Sequence, residues 1–347
     1  MVRLVKSSAS CESNRFAARV LTMNFKGKYV MYRCLKSVLA LSVVMFYGTV
    51  DARDYPTRPV RILTSPVGGS TDLIARLIAQ SLTSSLGQQV IVDNRPTGII
   101  PGEIVVKAPA DGYTMLFHGS SLWMMQFLQK VPFDPVNDLV PVTLATSTPT
   151  IVVLNPTVPA TTIKELIALA KAKPGSLNYA SGAAGAASHL GAELFKYMAS
   201  VNIVRVPYKG QGPAVLGLLG GEVQVGFAST GSVSGHIRAG KLRALAVTSA
   251  RPSMVAPGLP TVSDAGLPGY KSVTDAGMFV PLKTPTQLVT FLNHEITKAL
   301  SKADVKEILL REGTETVGSS PQEFAASIKA EMASLGKVIK AAGIRTE

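Results

Sequence analysis

The chain has 347 residues, 46% hydrophobic and 16% charged, with 35 Lys and Arg against 22 Asp and Glu for a formal charge of +13. That balance is long enough for two domains and excludes a disordered or collagen-like chain. Two cysteines and four scattered histidines without ligand spacing (His118, His189, His236, His294) exclude a disulfide framework and a zinc centre as the basis of function.

At the amino end, Arg33 and Lys36 precede an apolar segment, Val38 to Val50, which passes through Asp51 and Ala52 into the polar Arg53-Asp54-Tyr55-Pro56. This is the layout of a secretory signal, and residues 1–52 are assigned to one, cut near Ala52. The apolar stretch is shorter than the ~20 residues that span a bilayer. Met31 or Met23 would start a signal of ordinary length, so the region before them reads as surplus. Removal takes Cys11 and Cys34 and leaves 27 basic against 20 acidic residues, a formal +7. The remaining cations are scattered and aromatics are few, which argues against nucleic acid as a partner and for a mild preference for anionic solutes.

From Val60 onward, short β-branched runs alternate with helical spacing. The pattern predicts strands at 60–64, 89–93 and 114–118, with helices at about 71–86, 103–108 and 122–129. A long extended stretch at 140–154 follows, interrupted at Ser147-Thr148-Pro149. The second set has strands at 178–181, 204–208, 223–228 and 242–248, with helices at 163–172, 188–198, 214–219 and 233–239. The last strand of that set is placed to carry the chain back. A Pro/Gly-rich passage then leads to a strand at 273–280 and helices at 288–301, 303–311 and 321–342. The expected architecture is α/β with two lobes, each a mainly parallel sheet flanked by helices, joined by a two-strand hinge. Lobe 1 would hold residues 53–150 and 251–347, and lobe 2 residues 151–250. Ligands of open α/β sheets sit beyond the carboxyl ends of the strands.

Two junctions fit that position. Ser65-Pro66-Val67-Gly68-Gly69-Ser70-Thr71-Asp72 joins a strand to a helix whose face is Leu73, Ile74, Leu77, Ile78 and Leu82. A helix start carries unpaired N–H groups and positive dipole, and paired glycines let an anion approach them. The same residues also suit a tight turn capped by Ser70 or Thr71. Ser181-Gly182-Ala183-Ala184-Gly185-Ala186-Ala187-Ser188-His189 repeats the design, with close strand–helix packing as its plainer reading. His189 is read as a structural histidine near a helix start rather than a base. Gly235-His236-Ile237-Arg238-Ala239-Gly240-Lys241-Leu242 lacks the hydroxyl and the strand-to-helix context of a phosphate loop. No Gly-x-Ser-x-Gly elbow is present.

Tyr55-Pro56, Arg58-Pro59-Val60-Arg61, Gly68-Gly69-Ser70-Thr71-Asp72, Asp93-Asn94-Arg95-Pro96, Ala110-Asp111-Gly112-Tyr113-Thr114, Ser188-His189-Leu190, Val206-Pro207-Tyr208-Lys209-Gly210, the run from Gly240 to Thr248 and Pro260-Thr261-Val262 follow one another in register. Together they resemble the Bug-type receptors of tripartite tricarboxylate transporters over nearly all of residues 54–344. The resemblance implies a type II periplasmic binding protein fold, no catalysis, no cofactor or metal, and a monomer that carries a small organic carboxylate to membrane permease subunits. By position it implies ligand contacts from Pro66, Val67, Gly68, Gly69, Ser70, Thr71 and Asp72, from Ser120 and Ser121, and from Ser181, Gly182, Ala183, Ala184, Gly185, Ser188 and His189. Tyr208, Ala228 and Ser229 complete that set.

The chain departs from the family at Ser65, Val67, Thr97 to Gly102, Ala228-Ser229-Thr230 and Ala276. Loss of an aromatic and of an acidic residue there points to a plain carboxylic acid instead of an ammonium-bearing ligand. Ser229→Asp is expected to shift preference towards amino acids in a thermal-shift screen; an unchanged ranking would contradict this. A sensor acting on a membrane signalling partner and an anion-handling α/β enzyme are the other readings of the same loops.

Overall fold

Val60–Thr64 forms β1, where Val60, Ile62 and Leu63 are fully buried, as a strand covered on both faces requires. The chain turns through residues 65–69 into α1, Ser70–Leu86, whose Ile74, Ala75, Ile78, Ala79 and Leu82 form the buried stripe. β2 (Val90–Asn94), α2 (Ile99–Val106), β3 (Thr114–Gly119), α3 (Ser121–Leu128) and β4 (Leu139–Leu154) follow. Then come α4 (Ile163–Ala172), β5 (Asn178–Ser181), α5 (Ala187–Ala199), β6 (Val204–Pro207), α6 (Gln211–Gly220), β7 (Val225–Ser229), α7 (Thr230–Arg238) and β8 (Arg243–Val247). β9 (Val273–Pro281), α8 (Thr286–Ser301), α9 (Ala303–Arg311), β10 (Glu315–Thr316) and α10 (Pro321–Ala341) end the chain.

This computed structural model describes residues 55–96 and 99–345. The chain parts into Met1–Tyr55 and Pro56–Glu347, and every element above lies in the second unit. The signal segment with its cysteines, and Thr97-Gly98, lie outside the described residues. Among the described residues, no helix is long and apolar enough to cross a membrane.

The strand order is β2-β1-β3-β9-β4-β7-β5-β6, with β8 and β10 also pairing β4. β1, β2 and β3 are parallel, as are β5, β6 and β7. β9 runs antiparallel between β3 and β4. β4 belongs to both lobes: residues 139–149 pair β9 and, from the other side, β10, while residues 150–154 pair β7 and β8 antiparallel. Each lobe is thus parallel except where the crossing strands enter, and the sheet is mixed.

Two local expectations changed. The predicted break at Ser147-Thr148-Pro149 is absent, because Asp275, Thr274 and Val273 of β9 hold those residues extended. The strand expected to bring the chain back, β8, stays beside β4 with Val247 opposite Ile151, and residues 249–272 make the return.

A buried threonine pair ties the crossing together. The Thr150 N–H donates to Thr248 Oγ1 at 2.8 Å, the hydroxyls lie 3.1 Å apart, and the Thr248 N–H donates to the Thr150 carbonyl at 3.0 Å. Thr248→Val is expected to leave the Thr150 N–H without its hydroxyl acceptor and to cost about 1–2 kcal/mol in urea unfolding. A loss below a few tenths would show the pair to be incidental.

The first-lobe core is centred on Trp123, Phe279 and Phe324, with ring centroids 5.0–6.0 Å apart. α10 brings Phe324 there, starting at Pro321 with a reciprocal cap between Ser320 and Glu323. Phe195 and Phe227 form the second-lobe counterpart, and Tyr270 of the returning passage packs on Phe195 and donates its hydroxyl to the Gly191 carbonyl at 2.8 Å.

Candidate functional site

The register along β4 shows where the two halves face each other. Gly119, the last residue of β3, pairs with Ala276, which pairs with Thr146 of β4. Ser229, the last residue of β7, pairs with Thr150 of the same strand. β3 and β7 therefore end four positions apart along β4, about 13 Å, while running towards each other. Their carboxyl ends open on one gap.

On the first-lobe side, residues 66–70 are exposed and Thr71 half-buried. Gly68 sits at φ +85°, a conformation few other residues adopt, and aims its N–H at Asp72 Oδ2 at 3.0 Å. Asp72 also accepts from Asn94 Nδ2 at 2.9 Å and Arg76 Nε at 2.8 Å, while Asn94 reaches the Ser65 carbonyl at 2.8 Å. Burial alone would raise the Asp72 pKa, but the Gly68 N–H, Asn94 and Arg76 outweigh it and hold the pKa below its ordinary value. Asp72 is 4% exposed and turned inward, so it shapes the loop and does not face the gap. The N–H groups of Gly69, Ser70 and Thr71 have no acceptor among the described residues, and no side chain caps α1. They are the donors that an anion would meet.

A second helix start lies beside them. Ser120 gives its N–H to the Asp275 carbonyl at 2.7 Å and its side chain caps nothing, so the N–H groups of Ser121 and Leu122 stay without acceptors among the described residues. A Cβ on Gly119 would lie 4.0 Å from Thr71 Cγ2, which places the two helix starts side by side. His118, which the sequence pattern left unassigned, sits beneath both, with Nε2 3.3 Å from Ser65 Oγ and Nδ1 3.1 Å from the Gly119 carbonyl. Burial pushes its pKa down, so the ring is neutral and serves as a prop.

The second-lobe loop uses the same device. Gly185, at φ +78°, donates its N–H to His189 Nδ1 at 3.2 Å, and Gly182 donates to Ser188 Oγ at 3.0 Å. Burial, then the nearby Arg205 charge, lowers the His189 pKa to about 4. His189 is 4% exposed and acts as an acceptor inside the loop. Its lowered pKa means that its contribution to stability is complete above the ordinary pKa of 6.5 and is lost as pH falls towards 4. His189→Asn is expected to flatten the unfolding free energy across that window; an unchanged slope would show that other groups carry it. The N–H groups of Ala183, Ala184, Ala187 and Ser188 have no acceptors among the described residues.

Gly182, Ser188 and Ala228 line a pocket of about 20 Å³ together with Gln211, Ala214 and Phe227. That is room for one water-sized group, such as a carboxylate oxygen. Gln211, the first residue of α6, was not among the residues read from sequence; its signal is the preceding Gly210 at φ +110°. Ser229 starts α7 at the gap, with its hydroxyl 3.1 Å from Ser232 Oγ. Tyr208 has its main chain at the gap, its N–H bonded to the Ser181 carbonyl at 2.8 Å. Its hydroxyl is turned back along α6, where it donates to Glu222 at 3.1 Å. Ala276 is buried in the sheet, so that departure from the family is filled by packing.

The two loops share α3, which starts at Ser121 on the first-lobe side and ends with Leu128 Cδ1 3.0 Å from the Cβ position of Gly185. Among the described residues, no group of three His, Cys, Asp or Glu could hold a metal ion.

Residues 74–344 match the family model described as the tripartite tricarboxylate transporter family receptor. Protein BugT of Bordetella pertussis is 35% identical over 302 residues, covering 85% of this chain and 93% of that one. The adipate-bound R. palustris protein Rpa4515 superposes with a TM-score of 0.66 at 35% identity, over 84% of this chain and all of that one. A TctC solute-binding protein from Polaromonas, solved without ligand, gives 0.77 at 25% identity, over 83% and 99%.

Proposed function

The chain belongs to the tripartite tricarboxylate transporter receptor family, whose members are solute-binding proteins and not enzymes, and we propose that it holds one small aliphatic dicarboxylate between its lobes for delivery to membrane permease subunits. The observation that carries the reading is the convergence of β3 and β7 on one gap, with unpaired N–H groups at the helix starts on either side. Such donors suit carboxylates, which accept several short charge-assisted hydrogen bonds.

In this reading the loop from Pro66 to Thr71 and the start of α3 at Ser120 and Ser121 receive one carboxylate. Gly182 to Ser188, with Ala228, Ser229 and Gln211, receive the remainder of the ligand, and the fully buried Ser181 stands behind them. Asp72, His189 and Tyr208 shape these walls without touching it. The lobes are residues 53–150 with 251–347, and 151–250. The chain acts as a monomer in the periplasm after cleavage near Ala52. The adipate in a relative of 35% identity supports a dicarboxylate. In this reading the lobes exchange between apart and together, and ligand draws them together.

Native mass spectrometry of protein purified from a periplasmic fraction tests the ligand class. The expected result is one small organic acid per chain, displaced by adipate. A retained sugar, amide or nucleotide that adipate does not displace would overturn it.

A further inference from the structure

The two loops differ in charge. Beside the first, the Arg76 guanidinium is neutralised by Asp72 at 2.8 Å, and the loop offers main-chain dipoles without net charge. Beneath the second lies Arg205 of β6, whose Nε donates to Ser181 Oγ at 2.7 Å and whose guanidinium NH2 donates to the Gly182 carbonyl at 3.0 Å. It is half-buried and forms no ion pair among the described residues. The nearby carboxylate of Glu193 is engaged by the Tyr179 hydroxyl at 2.6 Å and Lys196 at 2.7 Å, and His189 is neutral at physiological pH.

An uncompensated guanidinium directly under a loop that lines the gap gives that side a standing positive potential. We infer that Arg205 is a positioning residue that makes the second lobe select for a second anionic group on the ligand, so that diacids are preferred over monoacids of the same length. This rests on the receptor reading above and deepens it. The guanidinium acts through the loop, fixing Ser181 and Gly182 while its charge attracts the distal carboxylate, which it does not touch. At several Å in a partly screened setting, a unit charge is worth about a tenfold change in affinity for a diacid and little for a neutral chain end.

The test is calorimetric titration of the full mature chain with adipate and hexanoate, using Arg205→Gln, Arg205→Lys and Arg205→His. Arg205→Gln is expected to weaken adipate about tenfold while hexanoate changes less than about twofold. Arg205→Lys should recover most of the preference. Arg205→His should make adipate affinity fall between pH 6 and 8, across the ordinary titration of histidine, where the unmodified chain is flat. Equal loss for both acids would mean that Arg205 only braces the loop and would overturn the inference, as would an unchanged ratio. If Arg205→Gln does not fold, the pH profile of Arg205→His decides alone: a flat adipate profile overturns the inference. Should the unmodified chain bind neither acid while another solute class binds, the receptor reading fails first, and the failure is distinguishable from that of Arg205.

Discussion

Gly69→Leu is expected to remove carboxylate binding by at least about a hundredfold while the protein stays folded. Gly69 has φ −80° and ψ 164°, a backbone that any residue adopts, and its position is exposed. A Cβ there would lie 3.6 Å from the Pro66 carbonyl and 4.0 Å from Thr71 Oγ1, ordinary contacts that need no rearrangement. The cost to the fold is that of a poorer helix cap, about 1 kcal/mol. The cost to the ligand is larger, because a branched side chain would stand over the N–H groups of Gly69, Ser70 and Thr71. Two lost charge-assisted hydrogen bonds are worth about 3–6 kcal/mol together. Calorimetry paired with thermal unfolding separates the two effects. Retained affinity in a folded variant would show that the ligand does not use these amides. Gly68→Leu is the contrasting case, since φ +85° makes it costly to the backbone itself.

Asp72→Ala should instead lower stability by about 2–4 kcal/mol, and affinity with it. The carboxylate closes a network in which Gly68, Asn94 and Arg76 converge, and Arg76 also donates to Asn94 Oδ1 at 2.9 Å. Its removal leaves the Gly68 N–H without its acceptor and the Asn94 amide with the Ser65 carbonyl alone, and frees the loop. The pH dependence has a definite sign. With a folded pKa held below the ordinary 3.8, Asp72 contributes fully above that value and loses its contribution as pH falls below it. The unmodified chain should therefore lose stability under acid more steeply than Asp72→Asn, as read by unfolding monitored from pH 5 to 2. Parallel acid profiles would contradict the assignment.

Much of the architecture is local enough to be legible in sequence. Residues 163–172, 178–181 and 303–311 follow the predicted bounds, because helix spacing and β-branched runs there agree with the packing that they enter. Both glycine loops were legible as strand-to-helix junctions because their side-chain-poor backbone is concentrated in a short stretch. Less visible was how each loop spends its own donors. In each, a glycine of positive φ gives its N–H to the side chain four positions on, Gly68 to Asp72 and Gly185 to His189. That spacing was present in both loops and extends to Asp72 the structural reading that His189 already had from its place near a helix start.

Other features depend on distant pairing and left no local trace. β10 is two residues long and exists because Glu315 and Thr316 lie against Ser147 and Thr146. The continuity of β4 through Pro149 depends on β9, more than a hundred positions away. Arg205 reaches Ser181 only because β6 lies beside β5 with Arg205 opposite Tyr179. A cation in a β-branched run has no sequence feature to mark it as the unneutralised charge under a binding loop.

In the proposed receptor, opposed main-chain donors on two lobes share one carboxylate-bearing guest. Calorimetric titration of the mature chain with adipate addresses this most directly. Saturable binding with one adipate per chain is expected, and no heat from adipamide, which keeps the carbon chain but lacks both charges. Binding of adipamide as tight as that of adipate, or no binding of any dicarboxylate by a folded chain, would contradict it.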